Sequence, residues 1–294
     1  MHLIHQSPEA YGQSGTRWTL TSLLAVGQGR GLRVRTVPGM CQIIRRLKVS
    51  RKRARHHVHS PDPHYVEKLG EVRVNLLRSG SDPEALVFLF EDEFTLYRHP
   101  SLALAYERLG KLQPLAELGW KTNFTWRIAA GLNAWTGQVT YAQARYMNIA
   151  QLTLFYQKLV SAYPGVEIAV VEDNWPVHSH ADLLAALQPQ TFPWGVHRPA
   201  NWKLQARQQI ELLNLPIRLL FLPTYASWTN PIEKLWRLLK QEVLHLHRYA
   251  DDWPGLKQRV CAFLDQFAQG SQALLRYVGL GDPYKLYHSL FPEM

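Results

Sequence analysis

The sequence predicts an α/β protein in which a mixed sheet flanked by helices follows a small helix-turn-helix module. Three observations predict it. Charge is segregated, because residues 1–64 hold 11 Lys/Arg against 2 Asp/Glu while the remaining 230 residues hold 22 against 21. Short apolar runs of strand length, ALVFLF (85–90), IAVV (168–171) and IRLLFLP (217–223), alternate with segments of helical period. Acidic residues follow the first two runs, and another stands in the first turn of a late helix.

Length and composition bound the possibilities. With 294 residues and 46% hydrophobic content, the chain can bury a substantial core in one moderate domain plus a smaller one. Cys41 and Cys261 are the only cysteines, which excludes a disulfide scaffold and fits a reducing cytoplasm. The N-terminus MHLIHQSPEA has no apolar signal core, and no apolar run approaches the roughly 20 residues a membrane span needs. A cytoplasmic protein without a membrane partner is expected. The basic N-terminal segment suits phosphate neutralisation on nucleic acid, although a soluble basic tail has the same composition.

Within that segment, RWTLTSLLAV (17–26) places Leu20, Leu23 and Leu24 on one face of a short helix that Thr19 or Thr21 can cap. In VPGMCQIIRRLKV (37–49), Val37, Met40, Cys41, Ile44 and Leu47 repeat at helical spacing and leave Gln42, Arg45 and Arg46 facing outward. Two such helices joined by the glycine-bearing GQGRG suit a helix-turn-helix whose second helix enters the major groove. Pro38 and Gly39 are expected to weaken the first turn of that second helix. The following SRKRARHHVHSPDP (50–63) reads as an exposed linker. Its Arg51, Lys52, Arg53 and Arg55 either track phosphates or simply solvate a hinge. Residues 65–83 read as a helical connector, and 84–294 as the main domain.

In the main domain the first apolar strand is expected to deliver Glu91, Asp92 and Glu93 at its exit. WRIAAGLNAWTGQVTYAQARY (126–146) reads as a hairpin turning at Trp135–Gly137. IAQLTLFYQKLVSAY (149–163) reads as a helix burying Leu152, Phe155, Tyr156 and Leu159. A core strand at 168–171 ends just before Asp173, a helix is expected in ADLLAALQ, and a third core strand leads to NPIEKLWRLLKQEVLHLH, read as one long helix. Asn230 can cap that helix, with Pro231 first and Glu233 third, where a carboxylate reaches back to the cap N–H. Trp236 and Leu239 read as core.

If the two acid-bearing strands are neighbours, Asp92 and Asp173 emerge side by side, and a helix packed across the sheet can bring Glu233 to them. Crowded carboxylates repel unless a proton or cation intervenes. Mg²⁺ prefers such oxygen ligands, and two divalent ions about 4 Å apart serve in-line phosphodiester displacement. Each acid also has an ordinary explanation: a polar strand end for Asp92, a turn for Asp173, and a cap or a pair with Arg237 for Glu233.

FEDE, VEDNWPVH and LPTYASWTNPIEKLWRLLK resemble, in order, the three acidic motifs of mariner-type DDE transposases and their bacterial insertion-sequence relatives. SPEAYGQSGTRWTLTSLL and RRLKVSRKRARHHVHSPDPHYVEK resemble the second half of that group's paired DNA-binding region and its linker. The resemblance implies a ribonuclease H-like catalytic domain, with Asp92, Asp173 and Glu233 as metal ligands for two Mg²⁺ ions that Mn²⁺ can replace. It implies cleavage and strand transfer at the inverted-repeat ends of a mobile element, by a homodimer on double-stranded DNA in the bacterial nucleoid. A catalytically inactive DNA-binding descendant, or a structure-specific nuclease on the same fold, are the alternatives. Asn174 and His178 are candidate supports for the site, with a turn amide and a helix-start histidine as the ordinary readings. Arg237 and Lys240 either hold phosphates beside the metals or are solvated helix charges.

The chain departs from the family's pattern in three places, one being Pro38-Gly39, which stands where base-reading polar side chains would be useful. Only residues 1–16 precede RWTL, so the first half of the DNA-binding region is expected to be missing. The interval between Asp173 and Glu233 is 59 residues, longer than the mariner-type spacing, with an insertion near 188–214. Trp194, Trp202, His197, Arg198, Lys203 and Arg207 there either grip an unpaired strand or belong to a self-packed or disordered loop.

Overall fold

In the computed structural model, described for residues 2–51, 60–180, 183–184, 187 and 213–291, the chain divides into two compact units, 1–58 and 59–294. The expected helix at ADLLAALQ falls mostly outside the described residues, as do the insertion's basic and aromatic residues and Lys52, Arg53 and Arg55 of the linker.

The first unit contains α1 (Leu20–Gly29) and α2 (Val37–Arg46), packed on each other. Thr19 caps α1 through a reciprocal box with Ser22, each side chain bonding the other's backbone N–H. Thr36 caps α2 by accepting the Gly39 N–H. Pro38 therefore sits in the first turn, where its missing N–H costs nothing. The apolar stripe is narrower than the periodicity predicted. Met40 is buried, but Val37 and Leu47 are exposed because they lie at the two ends of a helix too short to cover them. Gln42, Arg45, Arg46 and Arg51 are all exposed.

The second unit is built on a five-stranded sheet of order β3-β2-β1-β4-β5: β1 (Leu86–Tyr97), β2 (Thr125–Asn133), β3 (Val139–Ala144), β4 (Glu167–Glu172) and β5 (Ile217–Phe221). β1, β2 and β3 are antiparallel neighbours, whereas β4 and β5 join β1 in parallel. α3 (Tyr65–Ser81) packs on β1 and β5, and α4 (Ile149–Ala162) on β2 and β3. The late helices are α5 (Glu233–Leu239), α6 (Trp253–Asp265) and α7 (Gln272–Val278). Residues 60–64 belong to this unit, since Asp62 accepts the Thr224 N–H at 2.8 Å and pairs with Lys68 at 2.8 Å.

Because strand side chains alternate, the sheet has two distinct cores. Phe88, Phe90, Phe94, Ala169, Val171 and Leu220 face α3 and the late helices, whereas Leu89, Val170 and Leu219 face Phe155, Tyr156 and Leu159 of α4. The four residues predicted as the buried stripe of α4 are buried. Among the described residues no helix is long and apolar enough to cross a membrane.

Two elements differ from the sequence expectation. β1 runs on to Tyr97, so the acids lie in mid-strand and not at its exit, because β2 continues to pair with it through Tyr97↔Thr125 after β4 has stopped. The predicted long last helix is interrupted. α5 ends at Leu239 and widens into one π-turn over Lys240–Leu244, after which Leu246 adopts a positive φ of 50°. The backbone leaves the helix because Ser101 supplies alternative partners, donating to Leu244 O and accepting from Leu246 N.

Candidate active site

β1 and β4 bring the two aspartates together by register. Their last parallel pair is Phe90↔Val171, both facing the late helices. Two residues further along each chain stand Asp92 and Asp173, on the same side of the pleat. β4 ends there because Asp173 Oδ1 accepts the Trp175 N–H at 2.8 Å and turns the chain ahead of Pro176. Asn174, predicted as a possible support, donates its Nδ2 to Leu222 O at 2.5 Å and joins the ends of β4 and β5.

α5 is clamped onto β1 at three points. Asn230 Nδ2 donates to Glu91 O at 2.7 Å, Trp236 Nε1 donates to Asp92 Oδ2 at 2.9 Å, and the Trp236 ring stacks on Phe94 at 5.2 Å. Trp236 is therefore core, as predicted, and also a partner of Asp92. Glu233 precedes it by three residues on the same helical face and is half-buried. Asn230 Oδ1 accepts the Ile232 N–H at 3.4 Å, but the Asn230 N–H that a capping Glu233 would need goes to Ser227 O at 2.8 Å, so the capping explanation of Glu233 does not hold.

Asp92, Glu233, Trp236 and Lys240 line one cleft of about 450 Å³, together with His99 and His245. The three carboxylates feel one another. Burial, then Glu233, Glu93 and Asp173, push Asp92 up to about 8 against the opposing Trp236 bond. Burial raises Glu233 as well, with Lys240 and Arg237 opposing and Asp173 adding to the rise. For Asp173, burial is outweighed by the His178 contact and the Trp175 N–H, so its carboxyl lies below the ordinary value. Lys240 also sits over the Phe94 ring at 5.4 Å, and Arg237 is exposed. Hard oxygen donors, mutual repulsion and an open cleft fit divalent cations bound by Asp92, Asp173 and Glu233.

Sequence reasoning overlooked what lies on the other face. Glu91 and Glu172 immediately precede the aspartates and, by strand alternation, point toward α4; both are fully buried. His178 is buried between them and Glu93, with Nε2 2.9 Å from Glu93 Oε1 and Nδ1 3.3 Å from Asp173 Oδ1. Tyr156 O–H donates to Glu172 Oε1. Burial and the neighbouring acids raise Glu91 well above its ordinary value, and burial holds Glu172 at about 7 although His178 and Tyr156 pull it down. The readable signal was the repeated Glu-Asp pair at the ends of two apolar runs.

A mixed sheet of this order, flanked by helices, has the ribonuclease H-like fold. The model of the DDE superfamily endonuclease family matches residues 87–257, which include Asp92, Asp173 and Glu233, and the chain belongs to that family. The chain is similar to the insertion element IS630 uncharacterized 39 kDa protein of Shigella sonnei, at 23% identity over 265 residues. That alignment covers 87% of this chain and 66% of the relative, so the chain spans about two thirds of the relative's length. Among solved structures, the Mos1 transposase paired-end complex with left transposon end superposes with a TM-score of 0.57 at 14% identity, covering 96% of this chain and 80% of that one. The Mos1 mariner paired end complex with Mn gives 0.56 at 15% identity, covering 95% and 79%. These likenesses show the fold.

Proposed function

We propose that the chain is a DNA transposase that cuts at the inverted-repeat ends of a mobile element and joins them to target DNA, in a reaction requiring two Mg²⁺ ions that Mn²⁺ can replace. The observation that carries this reading is that Asp92 of β1 and Glu233 of α5 line a single cleft, and that Asp173, just past β4, is near enough for its charge to raise both of them. Family membership and the transposon-end complexes among the structural relatives support it.

When bound, the divalent ions supply Lewis-acid stabilisation of the phosphodiester and of the attacking and leaving oxygens. The chain's own residues do the rest. Asp92, Asp173 and Glu233 hold the ions, and Trp236 fixes one oxygen of Asp92 so that the carboxylate keeps a single orientation. Lys240 offers the cleft a cation for phosphate, with Arg237 one turn earlier on the exposed side. In the cutting step water attacks phosphorus, a P–O bond forms, and the bond to the 3′ oxygen breaks to leave a 3′-hydroxyl. In the joining step that hydroxyl attacks a target phosphodiester, exchanging one P–O bond for another.

Gln42, Arg45, Arg46 and Arg51 are read as duplex DNA contacts, with Lys52, Arg53 and Arg55 continuing along the phosphates. A homodimer on DNA is supported by the stretch between β1 and β2, which exposes Leu104, Tyr106, Leu109, Leu112, Leu115 and Trp120. The protein would work in the bacterial cytoplasm, on the nucleoid when bound to DNA.

The test uses the full chain and plasmid carrying the DNA that flanks its gene. Cutting should require Mg²⁺ or Mn²⁺ and fall by about a thousandfold in Asp173→Asn and Glu233→Gln, the loss expected when several kcal/mol of charge stabilisation is removed. Metal-independent cutting, or cutting that survives both substitutions, would overturn the assignment. DNA binding without any cutting would favour the inactive descendant.

A further inference from the structure

Behind the cleft, on the α4 face of the sheet, three ligand-type side chains meet in a fully buried position. One carboxylate oxygen each from Glu91 and Glu172 and one imidazole nitrogen of His178 lie within 4.8 Å of one another, and all three residues are buried. Among the described residues neither oxygen of Glu91 has a hydrogen-bond partner, and Oε2 of Glu172 meets only the His178 Nδ1 at 3.4 Å. Leaving a buried carboxylate unsatisfied is costly, and a proton on Glu91 removes the charge but leaves an O–H that still needs an acceptor.

The surroundings orient these groups toward a common point. Glu172 Oε1 is occupied by the Tyr156 O–H, so Oε2 remains. His178 Nε2 is held by Glu93 Oε1 at 2.9 Å, which turns Nδ1 toward Glu172 Oε2 at 3.4 Å and Asp173 Oδ1 at 3.3 Å. A carboxylate on one ring nitrogen, leaving the other to bind, is the support that histidine ligands usually have. We propose that Glu91, Glu172 and His178 Nδ1 hold one divalent first-row transition ion of the Zn²⁺ class, in a structural site behind the Asp92–Glu233 cleft that adjoins it through Asp173.

The charge balance suits it: two carboxylates and a neutral imidazole around a dication make a neutral buried unit, whereas Mg²⁺ has little use for an imidazole nitrogen. Bonds of about 2.0–2.2 Å require the three atoms to draw somewhat closer than they lie without an ion. The ion would tie β1 to β4 at the residues adjoining Asp92 and Asp173, and so set the spacing of the two aspartates from behind.

The experiment uses the full chain carrying Asp92→Asn and Glu233→Gln, which disables the cleft and makes the result independent of the transposase reading. Protein equilibrated with equimolar Zn²⁺ in excess Mg²⁺ is desalted, and metal is counted by mass spectrometry. About one Zn²⁺ per chain should remain, falling at least about tenfold when Glu91→Gln or Glu172→Gln is added. X-ray absorption of the parent should show oxygen ligands with one imidazole and no sulfur, a result that stands even if the glutamine variants fail to fold. A folded parent that retains no Zn²⁺, zinc that survives both glutamine substitutions, or a spectrum lacking imidazole would overturn the proposal.

Discussion

The indole N–H of Trp236 donates to Asp92 Oδ2 at 2.9 Å, while the same ring stacks on Phe94 two residues along β1. One side chain thus joins the helix carrying Glu233 to the strand carrying Asp92. Trp236→Phe keeps an aromatic ring in place and removes the donor. DNA cutting is expected to drop about tenfold, with a stability loss of about 1 kcal/mol in urea unfolding. A variant that lost stability by this amount but cut DNA at the parent rate would show that the bond does not orient Asp92.

The carboxylates of the cleft work against the metal-free fold. Burial and the charges of Glu233 and Glu93 all disfavour ionised Asp92. Asp92→Asn keeps an acceptor for the Trp236 N–H and removes the charge, so the metal-free variant should be more stable than the parent by about 1 kcal/mol, or about 2–4 °C in Tm. Calorimetry in chelator checks this. A lower Tm would mean that Asp92 has a favourable partner in the fold beyond Trp236.

Lys240 faces the cleft and Glu233, on the π-turn that replaces the expected last turns of the helix. As a phosphate contact, its removal in Lys240→Ala should weaken DNA binding equally on all sequences and lower the slope of log affinity against log salt by about 1. Binding titrations across salt concentrations read the slope directly, and an unchanged slope would remove Lys240 from the DNA path.

Asp62 supplies the pH dependence. Burial pushes its carboxyl up, but Lys68 and the N–H groups of Thr224 and His64 outweigh burial and hold it at about 2, below the ordinary 3.8. A pKa depressed by folding stabilises the protein fully above the unfolded value and loses that contribution as pH falls toward 2. Asp62→Asn should therefore cost about 1–2 kcal/mol near neutral pH, with the difference from the parent shrinking between pH 4 and pH 2. Denaturant unfolding at a series of pH values measures it. A constant difference across that range would place its cause outside the carboxylate's charge.

Much of the fold was legible because its signals are local. The stripe of α4 follows from Leu152, Phe155, Tyr156 and Leu159, and the hairpin from the turn at Trp135–Gly137 between two strand-like runs. The reach of β1 past Glu93 was not legible, since it depends on pairing with β2 at separations of 28 to 34 residues. The break after Leu239 was equally hidden, because nothing in KQEVLHLH shows that Ser101 offers its backbone there.

Taken alone, the sequence determined the residue types and their order: apolar runs that must become strands, an acid after two of them, and a third acid on a late helix. Chemistry of that kind is local, so it survives without coordinates. Only the tertiary structure decided which faces those side chains share. A pleat with a period of two sends Asp92 and Asp173 toward the Glu233 helix, and Glu91 and Glu172, one residue earlier, to the opposite core beside His178. Which face becomes an open cleft and which a sealed pocket depends on the helices packed against each, and their positions are set by contacts far apart in the chain.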